Sequence, residues 1–266
     1  MQERLWDIIS AVRAQAPLVH NITNYVVMNN TANALLAAGA SPVMAHAHPE
    51  VQDMVSIASA LVINIGTLDE YWVESMGLAT QQAHALQKPW VLDPVGAGAT
   101  PYRNQVLEEL LTYKPTVIRG NASEIMALVK TSSKTKGVDS THQSQEALTA
   151  GQELSAATGA VVCISGATDL IIHQNQYHSL SNGHPLMAKV TGMGCTASAL
   201  TGACCAVQPE DPFTATLAAM ALMGVTGEVA AEQANGPGTL QLHFLDGLHQ
   251  LSKEAFLKRV KLGESS

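Results

Sequence analysis

Basic residues are scarce in this chain of 266 residues: 14 Lys and Arg stand against 22 Asp and Glu, a formal charge of −8, and no basic block interrupts the sequence. Without such a block there is nothing to neutralise a phosphate backbone, so nucleic-acid binding is not expected. The first residues, MQERLWDIISAVRAQAP, lack the basic start and apolar centre of a signal peptide and space their apolar residues helically. A cytoplasmic protein is the expectation. The most apolar stretch, ATLAAMALMGVTGEVAA at 215–231, is broken by Gly224, Gly227 and Glu228, which predicts a buried helix with no membrane role. The four cysteines, Cys163, Cys195, Cys204 and Cys205, have no CxxC spacing and form no disulfide framework in a chain this long. Aromatic residues make up only 4% of the chain, so its core must rest on aliphatic side chains and close backbone approach.

What is present is a repeating alternation. Six short apolar runs, 17–23, 41–46, 60–66, 89–96, 115–121 and 160–166, read as parallel strands buried on both faces. Helical patterns lie between them near 24–39, 49–58, 69–87, 103–112, 121–129 and 143–158. The pattern predicts a single domain of class α/β, a doubly wound sheet with right-handed crossovers. DLIIHQ (169–174) and QYHSLSN (176–182) lie close enough for a hairpin, an antiparallel edge to that sheet. From 194 onward the pattern is almost wholly helical, and the polar segment 131–143 reads as an exposed loop.

In an open α/β sheet, ligands bind beyond the carboxyl ends of the strands. Here those ends read NITN, MAHAH, NIGT, DPVGAGAT, RGNASE and SGATD, which gathers polar and glycine residues on one edge. The stretch VTGMGCTASALTGA (190–203) adds a G-x-G turn entering a helix, where outward N–H groups and the helix dipole favour an anion. Cys195 in that turn has three readings: a small buried residue, a covalent nucleophile, or a proton acceptor beside an anion hole. Met44 reads first as core filling, whereas Asn24 reads equally as a helix N-cap and Glu124 as a capping partner.

TGMGC at 191–195 resembles the G-x-G-D signature of ribokinase-like small-molecule kinases, with cysteine where most carry an aspartate base. Together with HNITNYVVMNNTANALLAAGASPVMAH (20–46), DPVGAGAT (93–100) and RGNASEI (119–125), it resembles the hydroxyethylthiazole kinase family over nearly the whole chain. The resemblance implies a three-layer α/β/α ribokinase-like fold and ATP-dependent phosphorylation of 4-methyl-5-(2-hydroxyethyl)thiazole, with Mg²⁺, in thiamin synthesis. It implies an anion hole at Gly192, Met193, Gly194 and Cys195, with Cys195 beside the substrate hydroxyl. Asn21, Asn24, Met44 and Gly192 would meet the thiazole. Arg119, Ser165 and Thr168 would meet ATP, and Asp93 and Glu124 would hold magnesium largely through water, as a reluctantly dehydrated cation prefers. The family precedent is a homotrimer. Rival expectations are a hydroxymethylpyrimidine or pyridoxal kinase, for which an aspartate would stand at 195, and a nucleotide-dependent NAD(P)H-hydrate dehydratase of the same fold.

Overall fold

The computed structural model describes residues 1–132 and 143–265. Helix α1 (Gln2–Gln15) leads into strand β1 (Leu18–Ile22), followed by α2 (Met28–Ala38), β2 (Ser41–Val43), α3 (Val51–Ile57), β3 (Ala60–Asn64), α4 (Glu70–Ala85), β4 (Trp90–Asp93), α5 (Pro101–Leu111), β5 (Val117–Asn121) and α6 (Ala122–Ser132). After the undescribed stretch come α7 (Gln143–Thr158), β6 (Val161–Ser165), β7 (Asp169–His173) and β8 (Gln176–Leu180). A 3-10 turn at Pro185–Lys189 precedes α8 (Met193–Val207), α9 (Pro212–Gln233), α10 (Pro237–Gln250), α11 (Lys253–Arg259) and β9 (Leu262–Ser265).

Among the described residues nine strands join one sheet in the order β2-β1-β3-β4-β5-β6-β7-β8-β9. The first six in that order run parallel, and β7, β8 and β9 pair antiparallel. Successive side chains of the parallel strands feed two separate cores, which explains their continuous apolar runs. Val19, Val62, Val91, Val117 and Val161 pack beneath α1, α2 and α8 to α11. Leu61, Ile63, Leu92, Ile118 and Val162 pack beneath α3 to α7. Three layers result, as expected. The apolar 215–231 segment lies in α9, whose most apolar window is 89% buried inside the protein. It is the central helix of one face.

Three expectations need correction. The chain from 194 onward is not wholly helical: Leu262–Ser265 forms the edge strand beyond β8, through an irregular register. The helix expected from 24 begins at Met28, because the Asn24 side chain instead accepts from the Val26 N–H at 3.1 Å and closes a tight turn. Within the loop expected at 131–143, Thr131 and Ser132 finish α6 and Gln143 opens α7; the remainder lies outside the described residues.

Candidate active site

The start of α8 is the centre of the polar edge. Gly192 is its N-cap and has φ 83°, a left-handed conformation that favours glycine. The first intrahelical bond runs from the Thr196 N–H to the Gly192 carbonyl at 2.8 Å. The N–H groups of Met193, Gly194 and Cys195 therefore have no partner within the helix and point out of its positive end. Gly194 is held against a cation: a Cβ there would lie 2.8 Å from Arg119 Nη1.

Arg119 comes from β5 and is only 8% exposed. Its Nη2 donates to Ser165 Oγ, at the end of β6, at 2.7 Å. Its Nε is buried without a hydrogen-bond partner, a donor available to a ligand oxygen. Arg119, Ser165, Gly166, Ala167 and Asp169 line a cavity of about 610 Å³ together with Met187, Met193, Met220 and Met223. Thr168 is exposed on the same turn and does not line it. Asp169 accepts from the Gly166 N–H at 3.0 Å; burial raises its carboxyl to about 6, against the pull of that bond and of Arg119. An apolar-walled cavity ending in a guanidinium, a hydroxyl and a helix start suits a nucleotide with its phosphates at the polar end.

On the other side of the thiol lies a buried chain of polar groups. Asn24 Nδ2 reaches Cys195 Sγ at 3.5 Å and Asn64 Oδ1 at 2.8 Å. Asn64 Nδ2 donates to Asp93 Oδ2 at 2.7 Å, and Ser198 Oγ donates to the same oxygen at 2.8 Å. Burial raises the Cys195 thiol above its ordinary range and the Asp93 charge pushes it further, while the Asn24 and Asn64 donors and Arg119 pull it back. Asp93 is also raised, first by burial and then by Glu124, against the opposing pull of Arg119, Ser198 and Asn64. A thiol in that setting is mostly protonated at neutral pH.

Glu124 takes two backbone donors: Gly96 N–H on Oε1 at 3.0 Å and Asn121 N–H on Oε2 at 2.8 Å. Asn121 Oδ1 in turn accepts from the Glu124 N–H at 3.0 Å, so the pair caps α6 reciprocally. Among the described residues no three or more His, Cys, Asp and Glu gather as a metal cage. Asp93 takes both hydrogen bonds on Oδ2, leaving Oδ1 for a cation-bound water. Each Glu124 oxygen keeps a lone pair beside its backbone donor, so the two carboxylates suit magnesium held mainly through water.

The structure thus brings together Cys195, Asn24, Gly192, Met193, Gly194, Arg119, Ser165 and Asp93. Asn21 is buried on β1, donates to the Val19 carbonyl at 3.0 Å and leaves Oδ1 unpartnered. Met44 is half-buried just beyond β2, outside the hydrogen-bonded chain. Sequence reading overlooked Asn64 and Ser198. For Asn64 a signal existed: a polar side chain closing an apolar strand needs a buried partner.

A ribokinase-like superfamily protein from Enterococcus faecalis V583 shares this architecture with a TM-score of 0.67 over 95% of both chains at 14% identity. That likeness shows the fold, a ribokinase-like α/β/α architecture. The narrower relationship lies in the sequence. The model of the hydroxyethylthiazole kinase family matches residues 9–254, and the chain belongs to that family. The hydroxyethylthiazole kinase of Syntrophus aciditrophicus is 56% identical over 263 residues, 98% of this chain and 97% of that relative. The solved hydroxyethylthiazole kinase structure from Pyrococcus horikoshii OT3 covers 99% of both chains at 41% identity, with a TM-score of 0.92.

Proposed function

We propose that this chain, acting as one domain, transfers the terminal phosphoryl group of ATP to the hydroxyl of 4-methyl-5-(2-hydroxyethyl)thiazole, a salvage step of thiamin synthesis. One observation carries the reading. The helix start Gly192–Cys195 stands between the Arg119 and Ser165 cavity on one side and the Asn24 amide on the other. A phosphoryl group crossing from a nucleotide to an alcohol needs that placement.

In this reading the N–H groups of Met193, Gly194 and Cys195, with Arg119, hold the migrating group as its charge develops. Arg119 and Ser165 bind the nucleotide phosphates, and Thr168, exposed on the turn that follows Ser165, joins them. Asn24, Asn21, Met44 and Gly192 contact the thiazole, a neutral sulfur heterocycle suited to amides and a thioether wall. Cys195 sits beside the reacting hydroxyl. Because burial and Asp93 keep its thiol protonated, it accepts a proton poorly, and alignment with charge stabilisation supplies most of the acceleration. Asp93 and Glu124 would hold Mg²⁺ through water, and the cation would supply charge neutralisation to the nucleotide phosphates. The protein works as a cytoplasmic homotrimer.

The test couples ADP formation to a spectrophotometric signal, with the thiazole alcohol and with the same thiazole lacking its hydroxyl. ADP should form only with the alcohol. Equal ADP formation with both compounds would refute the assignment.

A further inference from the structure

Asn64 closes the buried run of β3 and is 1% exposed, and beyond its own donor's pull on the Cys195 thiol the chemistry above gives it no task. Its amide is engaged at both ends. Nδ2 donates to Asp93 Oδ2 at 2.7 Å, and Oδ1 accepts from the Gly66 N–H at 2.9 Å and from Asn24 Nδ2 at 2.8 Å. Only one orientation satisfies this set. Rotated by half a turn, the amide would set oxygen against the Asp93 carboxylate and nitrogen against the Gly66 N–H, losing every bond at once.

The second amide inherits the choice. Facing an acceptor at Asn64 Oδ1, Asn24 must turn its nitrogen inward, while its Oδ1 accepts from the Val26 N–H at 3.1 Å. That same nitrogen therefore faces Cys195 Sγ at 3.5 Å. The reverse orientation would offer the sulfur a carbonyl lone pair, and an alcohol beside the sulfur would meet an acceptor in place of a donor.

We infer that Asn64 is a positioning residue for phosphoryl transfer: the chain Asp93–Asn64–Asn24 fixes which end of the Asn24 amide faces Cys195 and the reacting alcohol. The kinetic part of this inference rests on the proposed function; the part concerning the thiol does not. Glycine reinforces the device, since a Cβ at position 66 would lie 2.6 Å from Asn24 Nδ2.

The test is a double-mutant cycle on the full chain. Asn64→Ala, and Asn64→Ser as a second variant whose hydroxyl can still meet Asp93, are each made in the parent and in Asn24→Ala. Two quantities are read: the initial rate of Cys195 modification by iodoacetamide, which needs no turnover, and kcat and KM for the thiazole alcohol. Cys163, Cys204 and Cys205 are 0%, 2% and 1% exposed, so alkylation of the folded protein reports Cys195. In the parent, an Asn64 substitution should slow alkylation and kcat about tenfold, the loss of one directed hydrogen bond, with a smaller change in KM. With Asn24→Ala already present, the same substitution should add less than about twofold to either loss. An equal loss in both backgrounds would assign Asn64 a role independent of Asn24 and overturn the inference, as would no loss in the parent. If the parent does not phosphorylate the alcohol, the proposed function falls, and the alkylation cycle alone decides the amide chain.

Discussion

Gly192 and Gly194 are two residues apart at the start of one helix, and their replacement by alanine should separate stability from activity. At Gly194 the backbone needs no special conformation, but the new Cβ would stand 2.8 Å from Arg119 Nη1. To regain an ordinary contact the guanidinium must retreat by about 0.6 Å, at the expense of its 2.7 Å bond to Ser165. Alanine is favoured over glycine in a helix by up to about 1 kcal/mol, so Gly194→Ala should melt at or above the parent temperature. Its kcat/KM for ATP should fall about tenfold to a hundredfold, because displacements approaching 1 Å at a reacting centre have that effect. Gly192→Ala should behave otherwise. It forces an L-residue to φ 83° and drives Cβ to 2.8 Å from the buried Val27 Cγ1. A loss of about 2 kcal/mol, or roughly 4–8 °C in a chain of this size, is expected. Differential scanning fluorimetry with a coupled assay at varied ATP reads both effects. Parent-like kcat/KM in Gly194→Ala would refute the claim that Arg119 and the helix start act as one anion-binding unit.

Asp169 offers a pH test: its carboxyl is raised to about 6 in the folded chain from an ordinary 3.8, so its contribution to stability is complete below about 3.8 and is lost as pH rises through 6. Asp169→Asn should therefore be more stable than the parent by about 1–3 kcal/mol at pH 7.5, with the advantage shrinking toward pH 4 in urea titrations; an advantage independent of pH would contradict the assignment. Asn182 ties the C-terminal edge to α9, donating to Glu228 Oε1 and the Arg259 carbonyl and accepting from the Lys261 N–H at 2.6 Å. Asn182→Ala should cost about 2–4 kcal/mol of unfolding free energy, and a parent-like denaturation midpoint would show that β9 is held by other means.

The layers were legible because strands buried on both faces are apolar throughout. Runs such as Ala60–Asn64 and Val161–Ser165 stand out against the helices between them. The short edge strand Leu262–Ser265 was not, since LGES has a single apolar residue and is specified by pairing with β8 and by the Asn182 bonds to the neighbouring backbone. The glycine turn carried recognisable chemistry in its local sequence, whereas Arg119 and Asp93 stood out only through the family motifs that hold them. Asn64 offered only its polar place at the end of an apolar strand, and Ser198 looked like one more small residue in a helix of small residues, its bond to Asp93 spanning 105 positions. Glu124 was open between a cap and a metal ligand, and its two backbone bonds give it the first role without removing it from the second.

The most direct measurement of the central claim follows product mass when the full chain is incubated with ATP and Mg²⁺ and, separately, with the thiazole alcohol, hydroxymethylpyrimidine and pyridoxal. A phosphate monoester of the thiazole alcohol should form in step with ADP, with little product from the other two alcohols. Preferential phosphorylation of hydroxymethylpyrimidine or pyridoxal, or ATP consumption without a thiazole ester, would contradict it.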